Sequence, residues 1–285
     1  MEPYVIIQQR MESLRNEEQI RNLSRFFKTG PGQYGDGDQF LGIKVPQTRA
    51  IVKEMWKKCT LEDVQKLICS PYHEIRLCAL LLLVRLYDGA KKDPETQEII
   101  VRFYLSQTEF INNWDLVDLS CYEIMGKYLM QRDRSVLYDL AQDGRTIWEQ
   151  RIGIVSTMAF VRAGQLDDTL AIADILLHHP HDLIQKAVGW LLREVGKKDG
   201  KLLRDWLLGK DHGHSEDAGN GETMTDNMSV RTDISDNDSI LAGNMSLKPS
   251  VSDLPRYKTM PRTALRYAIE RFPEEERQLW LKGML

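Results

Sequence analysis

Apolar residues recur at steps of three and four along nearly the whole sequence, and this periodicity limits the possible folds more than any other feature. It is clear over residues 74–87, 115–130, 147–162 and 183–197. No stretch alternates apolar and polar residues as a half-buried β-strand does. Turns rich in glycine, proline and histidine separate the periodic segments. The sequence therefore predicts an all-α protein.

Three of the periodic segments resemble one another. They read EIRLCALLLL, EQRIGIVSTM and IQKAVGWLLR, and each has a basic residue at its third position, Arg76, Arg151 and Lys186. The spacings between these bases fit repeats of roughly 35–40 residues. A helix pair of that length can bury its apolar face only against its neighbours. The sequence therefore predicts a HEAT-like helical-repeat solenoid, a curved stack of antiparallel helix pairs whose inner surface is the natural binding face.

One long segment interrupts the helical pattern. Residues 210–254 are rich in Gly, Ser, Asp and Asn and contain no aromatic residue, so they lack the apolar surface that a folded core requires. We predict a repeat domain over residues 1–209 and a disordered acidic, serine-rich insertion over 210–254. A C-terminal helical repeat over 255–285 then completes the same domain.

The net charge of −4 is unevenly distributed. The segment 210–254 holds nine acidic and three basic residues, a net charge of −6, so the rest of the chain carries +2. A chain with that balance can present a local basic groove to a nucleic acid, although the balance does not require one.

The sequence predicts a soluble intracellular protein. Its first residues are charged and helically patterned rather than signal-like, and its longest apolar run, residues 77–84, is too short to cross a bilayer. We expect a cytoplasmic, nucleoid-associated protein in a prokaryote and a nuclear one in a eukaryote. The four cysteines have no metal-site or disulfide spacing, and neither a metal nor another cofactor is predicted.

Three successive predicted repeats carry a tryptophan together with charged residues at helical spacing. In chain order the set is Trp114, Asp118, Trp148, Arg151, Lys186, Trp190 and Arg193. A single helical tryptophan is usually a core residue, but three in succession beside charges are less easily explained by packing. In a solenoid these faces stack side by side, which predicts an aromatic and basic stripe with Asp118 at its centre. Such a stripe suits a nucleic-acid backbone.

Two other motifs predict turns rather than sites. The segment TGPGQYGDGD at residues 29–38 has many glycines but no following Gly-Lys-Ser/Thr and no preceding strand, so it predicts a loop and not a phosphate cradle. The histidines at 178–181 and 212–214 lie in a turn and in the acidic segment without cysteine partners, which does not favour a metal site.

Five collinear segments resemble the AlkD family of alkylpurine DNA glycosylases. They are FLGIKVPQTRAIVKE, NNWDLVD, IWEQR, IQKAVGWLLRE and MPRTALRYAIERF, and the resemblance covers essentially the whole chain except 210–254. It implies a monofunctional, monomeric DNA glycosylase. Such an enzyme removes positively charged alkylated purines, of the 3-methyladenine or 7-methylguanine type, from double-stranded DNA. Family members often have a second aromatic residue just before the tryptophan of NNWDLVD, where this chain has Asn113.

The resemblance also implies residue roles. Asp118 is implied as the catalytic carboxylate that stabilises positive charge on the deoxyribose, with Trp114 and Trp190 packed against the sugar and backbone at the lesion. Arg151 is implied as a residue that holds a phosphate. From shared helix faces we add three further predicted DNA contacts, Trp148, Lys186 and Arg193. Neither a metal nor an organic cofactor is implied.

Two other functions remain open from the sequence. One is a non-catalytic module of the same fold that recognises DNA structure, and the other is a HEAT-repeat scaffold for proteins with the acidic segment as a tether. Of the three functions, only the DNA glycosylase requires Asp118, Trp114, Arg151 and Trp190 to converge on one concave surface.

Overall fold

The computed structural model describes residues 1–210 and 254–285. Within these ranges the chain forms helices and no β-strand, and an isolated parallel bridge joins Gln39 to Tyr72. The predicted all-α helical-repeat fold is confirmed. In chain order the helices are α1 (Pro3–Ser13), α2 (Glu17–Phe26), α3 (Val45–Met55), α4 (Leu61–Ile68), α5 (His73–Gly89), α6 (Pro94–Ser106), α7 (Trp114–Asp118), α8 (Ser135–Asp143), α9 (Ile147–Ser156), α10 (Met158–Arg162), α11 (Asp167–Ile175), α12 (Asp182–Lys198), α13 (Gly200–Leu207), α14 (Arg256–Thr259), α15 (Arg262–Ala268) and α16 (Glu274–Lys282).

Several helices begin where a side chain accepts a hydrogen bond from a backbone amide of the first turn. The capping residues are Asn16, Thr60, Asp93, Thr146 and Asp199. Each cap satisfies an amide that has no partner inside the helix. Short polar residues thus set the start of these helices, and the apolar periodicity that follows sets the buried face.

The helices pack around a single continuous core that runs from Ile7 in α1 to Trp280 in α16. Neighbouring helices pair along the chain, as α4 does with α5 and α8 with α9. The long helix α12 packs on α9, α13 and α15. Residues of α7, α9, α12 and α15 line the cleft described below, so these helices present one common surface.

The prediction of one continuous helix over residues 115–130 is wrong. Helix α7 ends at Asp118, and a π-helical turn occupies Tyr122–Gly126. The Ser120 hydroxyl between them donates to the carbonyl of Leu116 four residues earlier, a back-bond that competes with regular helix. The helix predicted over 147–162 is also divided into α9 and α10, with the break at Thr157.

The C-terminal segment packs on the preceding repeats, since α15 contacts α12 and α14 contacts α13. The predicted insertion falls almost entirely on residues 211–253, which lie outside the described residues, so the predicted three-part division of the chain stays a prediction. Among the helices of the two described ranges, none is both long and apolar enough to cross a membrane.

Candidate functional site

A cleft of about 660 Å³ opens on the common surface of α7, α9, α12 and α15. The end of α2 and the loop that follows it close one part of its rim. Six of the seven residues predicted from the sequence line this cleft, namely Trp114, Asp118, Arg151, Lys186, Trp190 and Arg193. The volume falls within the range of about 300–1,000 Å³ that is usual for ligand sites.

Asp118 and Arg151 form a bidentate ion pair in the cleft. The Arg151 Nε donates to Oδ1 of Asp118 at 2.8 Å, and Nη2 donates to Oδ2 at 2.7 Å. The third nitrogen, Nη1, donates to the carbonyl oxygen of Leu183 at the start of α12. One guanidinium therefore ties α7, α9 and α12 together at the carboxylate.

The Asp118 carboxylate is shielded from water but not sealed off. Its side chain is 15% exposed, against 6% for Arg151. Burial raises the pKa of Asp118 above its ordinary value, although Arg151 lowers it. Arg151 occupies one lone pair on each carboxylate oxygen and leaves the others free to meet a ligand or a water molecule.

Trp114 is held by an aromatic cluster at the end of α2. Its ring stacks on Phe27 with centroids 5.4 Å apart, and the edge of Phe26 meets it at 5.8 Å. Phe26 is 61% exposed, which is unusual for a large apolar side chain, and it lines the cleft beside Trp114. Trp190 is half-buried on α12 and lines the same cleft.

Trp148 is the one predicted site residue that does not line the cleft. It is buried in the core, and its ring and that of Tyr34 meet at a steep angle with their centroids 6.1 Å apart. The spacing of three residues between Trp148 and Arg151 does place both on one side of α9, but a neighbouring segment covers the turn that carries Trp148. The predicted contact between Trp148 and DNA therefore has no support in its position.

Lys186 and Arg193 lie on α12 at the cleft and are paired with acidic residues. Lys186 Nζ contacts Asp182 at 2.7 Å, and Arg193 pairs with Glu270 and Glu194. The Lys186 side chain is 38% exposed, so its ion pair is weak and can be exchanged for another anion. Arg193 is 19% exposed and is more firmly held.

The structure adds seven residues to the cleft that sequence reasoning missed: Phe26, Lys28, Tyr34, His181, Asp182, Leu183 and Tyr267. Lys28 and Tyr34 lie in the loop after α2, and His181 caps α12, where helical periodicity carries little information. Burial lowers the pKa of His181 below its ordinary value, so its ring is neutral at neutral pH. Its Nδ1 accepts from the Leu183 amide at 3.2 Å, which leaves Nε2 as the hydrogen-bond donor.

A buried polar network lies next to the start of α7, the helix that carries Trp114 and Asp118. Asp38 pairs with Arg76 at 2.6 Å and with His73 at 3.3 Å, and it accepts from Asn113 at 3.1 Å. His73 also contacts Asp115 at 2.9 Å. Burial lowers the pKa of His73, but Asp115 and Asp38 raise it, and the result is about 9. His73 is therefore a buried cation at neutral pH, and the network joins the loop after α2 to the start of α7.

The fold and the cleft together define a class, an all-helical repeat protein with a partly shielded carboxylate, two tryptophans and several cations on one surface. No grouping of His, Cys, Asp or Glu in the described ranges is arranged to hold a metal ion. The chain belongs to the DNA alkylation repair enzyme family, whose model matches residues 7–272. Membership indicates an enzyme with a role in DNA repair.

A solved structure shares the fold. It is described as a predicted DNA alkylation repair enzyme from Enterococcus faecalis, and it matches with a TM-score of 0.51 at 18% identity over 67% of this chain and 87% of that one. At this identity the likeness supports the fold alone. None of the curated protein sequences matches this chain.

Proposed function

We propose that this protein is a monofunctional DNA glycosylase, a monomer that needs no cofactor. It hydrolyses the N-glycosidic bond of positively charged alkylated purines, of the 3-methyladenine or 7-methylguanine type, in double-stranded DNA. The observation that carries the proposal is the Asp118 carboxylate, fixed by Arg151 in a cleft that Trp114 and Trp190 also line.

The chemistry needs what Asp118 offers. A purine alkylated at N3 or N7 already carries a positive charge, so it leaves as a neutral base without a general acid. The deoxyribose then develops positive charge at C1′, and a fixed carboxylate in a shielded site stabilises that charge. Because Arg151 holds the carboxylate in one orientation, little reorganisation is needed as the charge forms.

Water completes the reaction. It adds to C1′ and loses a proton, and the products are the free base and an abasic sugar. The lone pairs of Asp118 that Arg151 leaves free can orient this water and accept its proton. Burial raises the pKa of Asp118, which makes the carboxylate a better proton acceptor than an exposed aspartate.

Charges at the rim of the cleft suit the sugar-phosphate backbone. Lys28 and Lys186 supply cations, and His181 supplies a neutral N–H donor. Arg193 is a further phosphate contact, for which it exchanges its partner Glu270. Trp114 and Trp190 offer ring faces to the sugar of the lesion. We propose that the main role of Arg151 is to position Asp118 and not to bind a phosphate, since Asp118 and Leu183 accept hydrogen bonds from all three of its nitrogens.

The test is the release of free base from duplex DNA that contains 7-methylguanine or 3-methyladenine. The wild-type protein is compared with Asp118→Asn, and DNA binding is measured for both. Asp139→Asn is the matched control, because Asp139 is an exposed carboxylate on α8 outside the cleft. We expect Asp118→Asn to lose about 100-fold or more in rate with its DNA binding retained, and Asp139→Asn to behave as wild type.

Two outcomes contradict the proposal. If the wild type binds DNA but releases no base, the chain is a DNA-binding module on a repair fold. If Asp118→Asn releases base at the wild-type rate, the reaction is catalysed by another group and the role of Asp118 is structural.

A further inference from the structure

The glycine-rich loop over residues 29–38 forms part of the cleft wall, and we call it the Tyr34 loop. Tyr34 is half-buried and lines the cleft. Its hydroxyl donates to the carbonyl oxygen of Phe26 at 3.3 Å, and its ring meets that of Trp148 at a steep angle. The function proposed above uses no residue of this loop.

The Tyr34 loop is fixed in place. The amide of Gly35 donates to the carbonyl of Lys28 at 3.2 Å, which closes the loop at its base. A Cβ atom on Gly35 would lie 2.3 Å from the carbonyl oxygen of Phe27, so only glycine fits there. Asp36 accepts from the Gly32 amide at 2.8 Å. These contacts hold the loop against the end of α2.

The end of the loop is anchored in the buried network. Asp38 has a side chain only 4% exposed and is held by Arg76, His73 and Asn113. Asn113 immediately precedes Trp114 at the start of α7. The wall and the helix that carries Trp114 and Asp118 are therefore tied to the same set of ion pairs, which fixes their separation.

Tyr34 lines the same cleft as Lys186 and Trp190 of α12. Burial raises the pKa of Tyr34, while Trp114 and Lys186, which line the same cleft, lower it. Asp118 lines the same cleft. An alkylated nucleotide with its sugar at Asp118 has to share this space with the Tyr34 ring.

We propose that Tyr34 is a specificity-determining residue that limits the size of the purine substituent admitted to the cleft. This rests on the proposed function, since it takes the alkylated nucleotide as the ligand. Under this proposal the cleft accepts a methyl group beside the phenol and excludes a benzyl group. A size difference of even one methylene in a tight apolar site is worth about 10–200-fold in discrimination.

A purely structural Tyr34 makes a different prediction. If the ring serves only to cover Trp148, its loss lowers stability and weakens the handling of every substituent by the same factor. A size-selecting ring instead changes the ratio between small and large substituents. The ratio is therefore the informative readout, and it is independent of the fraction of protein that is correctly folded.

The experiment measures this ratio in two ways. Binding is measured to duplexes that contain the uncleavable analogues 3-deaza-3-methyladenine and 3-deaza-3-benzyladenine, and base release is measured from duplexes with 7-methylguanine and 7-benzylguanine. The variants are Tyr34→Ala, Tyr34→Leu as a second truncation should the first fail to fold, and Tyr34→Phe. Asn22→Ala, an exposed polar residue on α2, is the control.

We expect the wild type, Tyr34→Phe and Asn22→Ala to prefer the methyl compounds by about tenfold or more, and the truncated variants to lose most of that preference. A wild type that does not discriminate, or truncations that weaken both compounds equally, overturns the proposal. If Tyr34 controls the binding ratio but no protein releases base, the proposed glycosylase fails and the size selection stands. If methylated base is released and Tyr34 has no effect on either ratio, only the size selection fails.

Discussion

Replacing Arg151 with methionine is expected to lower the activity of the protein by changing the position and the ionisation of the Asp118 carboxylate, although Asp118 itself is unchanged. The substitution removes two charge-assisted hydrogen bonds of 2.8 and 2.7 Å and leaves the carboxylate and the Leu183 carbonyl without these donors. Breaking a buried ion pair from one side costs roughly 3–5 kcal/mol. Because Asp118 is 15% exposed and can protonate, we expect the lower end of that range, about 3 kcal/mol at neutral pH.

The loss should depend on pH in a defined direction. Burial already raises the pKa of Asp118, and removing Arg151 takes away the group that opposes this rise. An aspartate whose folded pKa lies above its unfolded value destabilises the fold when it ionises, so the stability deficit of Arg151→Met grows as pH rises and shrinks in acid. In single-turnover base release, the acid limb of the rate profile should move to higher pH, since the carboxylate ionises later.

Urea unfolding at about pH 5 and about pH 8 measures the stability part, and the pH profile of 7-methylguanine release measures the catalytic part. Arg151→Lys is the matched variant, because it keeps the charge but loses the bidentate fork. The acid limb of its rate profile should move less than that of Arg151→Met, because the positive charge is kept. Its activity should still fall, because the bidentate contact is lost. An acid limb that stays in place in Arg151→Met would refute the idea that Arg151 controls the ionisation of Asp118.

Two further substitutions test a buried ion-pair network and a close backbone contact in the core. The pKa of His73 is raised from its ordinary value of 6.5 to about 9. Protonated His73 therefore stabilises the fold by about 3 kcal/mol, a contribution that is fully present below pH 6.5 and lost as pH rises to about 9. The wild type should therefore lose more unfolding free energy than His73→Gln between about pH 6 and 9, and parallel curves would contradict the ion pairs assigned to His73. A Cβ atom on Gly126 would lie 2.3 Å from the carbonyl oxygen of Ser156, so Gly126→Ala should cost about 1–3 kcal/mol in urea unfolding, and an unchanged midpoint would refute the close packing.

The sequence was sufficient for the features that depend on local periodicity. The apolar step of three and four residues predicts helices, and the helical spacing between Trp114 and Asp118 correctly places both on the same side of α7. The same reasoning brings Lys186, Trp190 and Arg193 to one surface of α12. These are properties of a single helix, and tertiary contacts were not needed to predict them.

The features that were missed depend on contacts between distant segments. Trp148 has the same spacing to Arg151 that a surface pair would have, but its cover is Tyr34, which lies more than a hundred residues earlier. Asp38 meets Asn113 across 75 residues of sequence. Helical periodicity says which side of a helix faces its neighbours, but it cannot say which loop from another repeat lies over that side.

Two arginine–aspartate ion pairs in this fold have similar positions but differ in the surroundings of the aspartate. Arg76 and Arg151 occupy equivalent positions in their repeats, and each pairs with an aspartate from an earlier segment, Asp38 and Asp118 respectively. His73 and Asn113 also contact Asp38, which leaves it 4% exposed, and these partners lower its pKa despite its burial. Asp118 has one cation, is 15% exposed at the cleft, and has a raised pKa. A structural ion pair of the repeat thus becomes a candidate catalytic group when its aspartate has fewer partners and opens onto the concave surface.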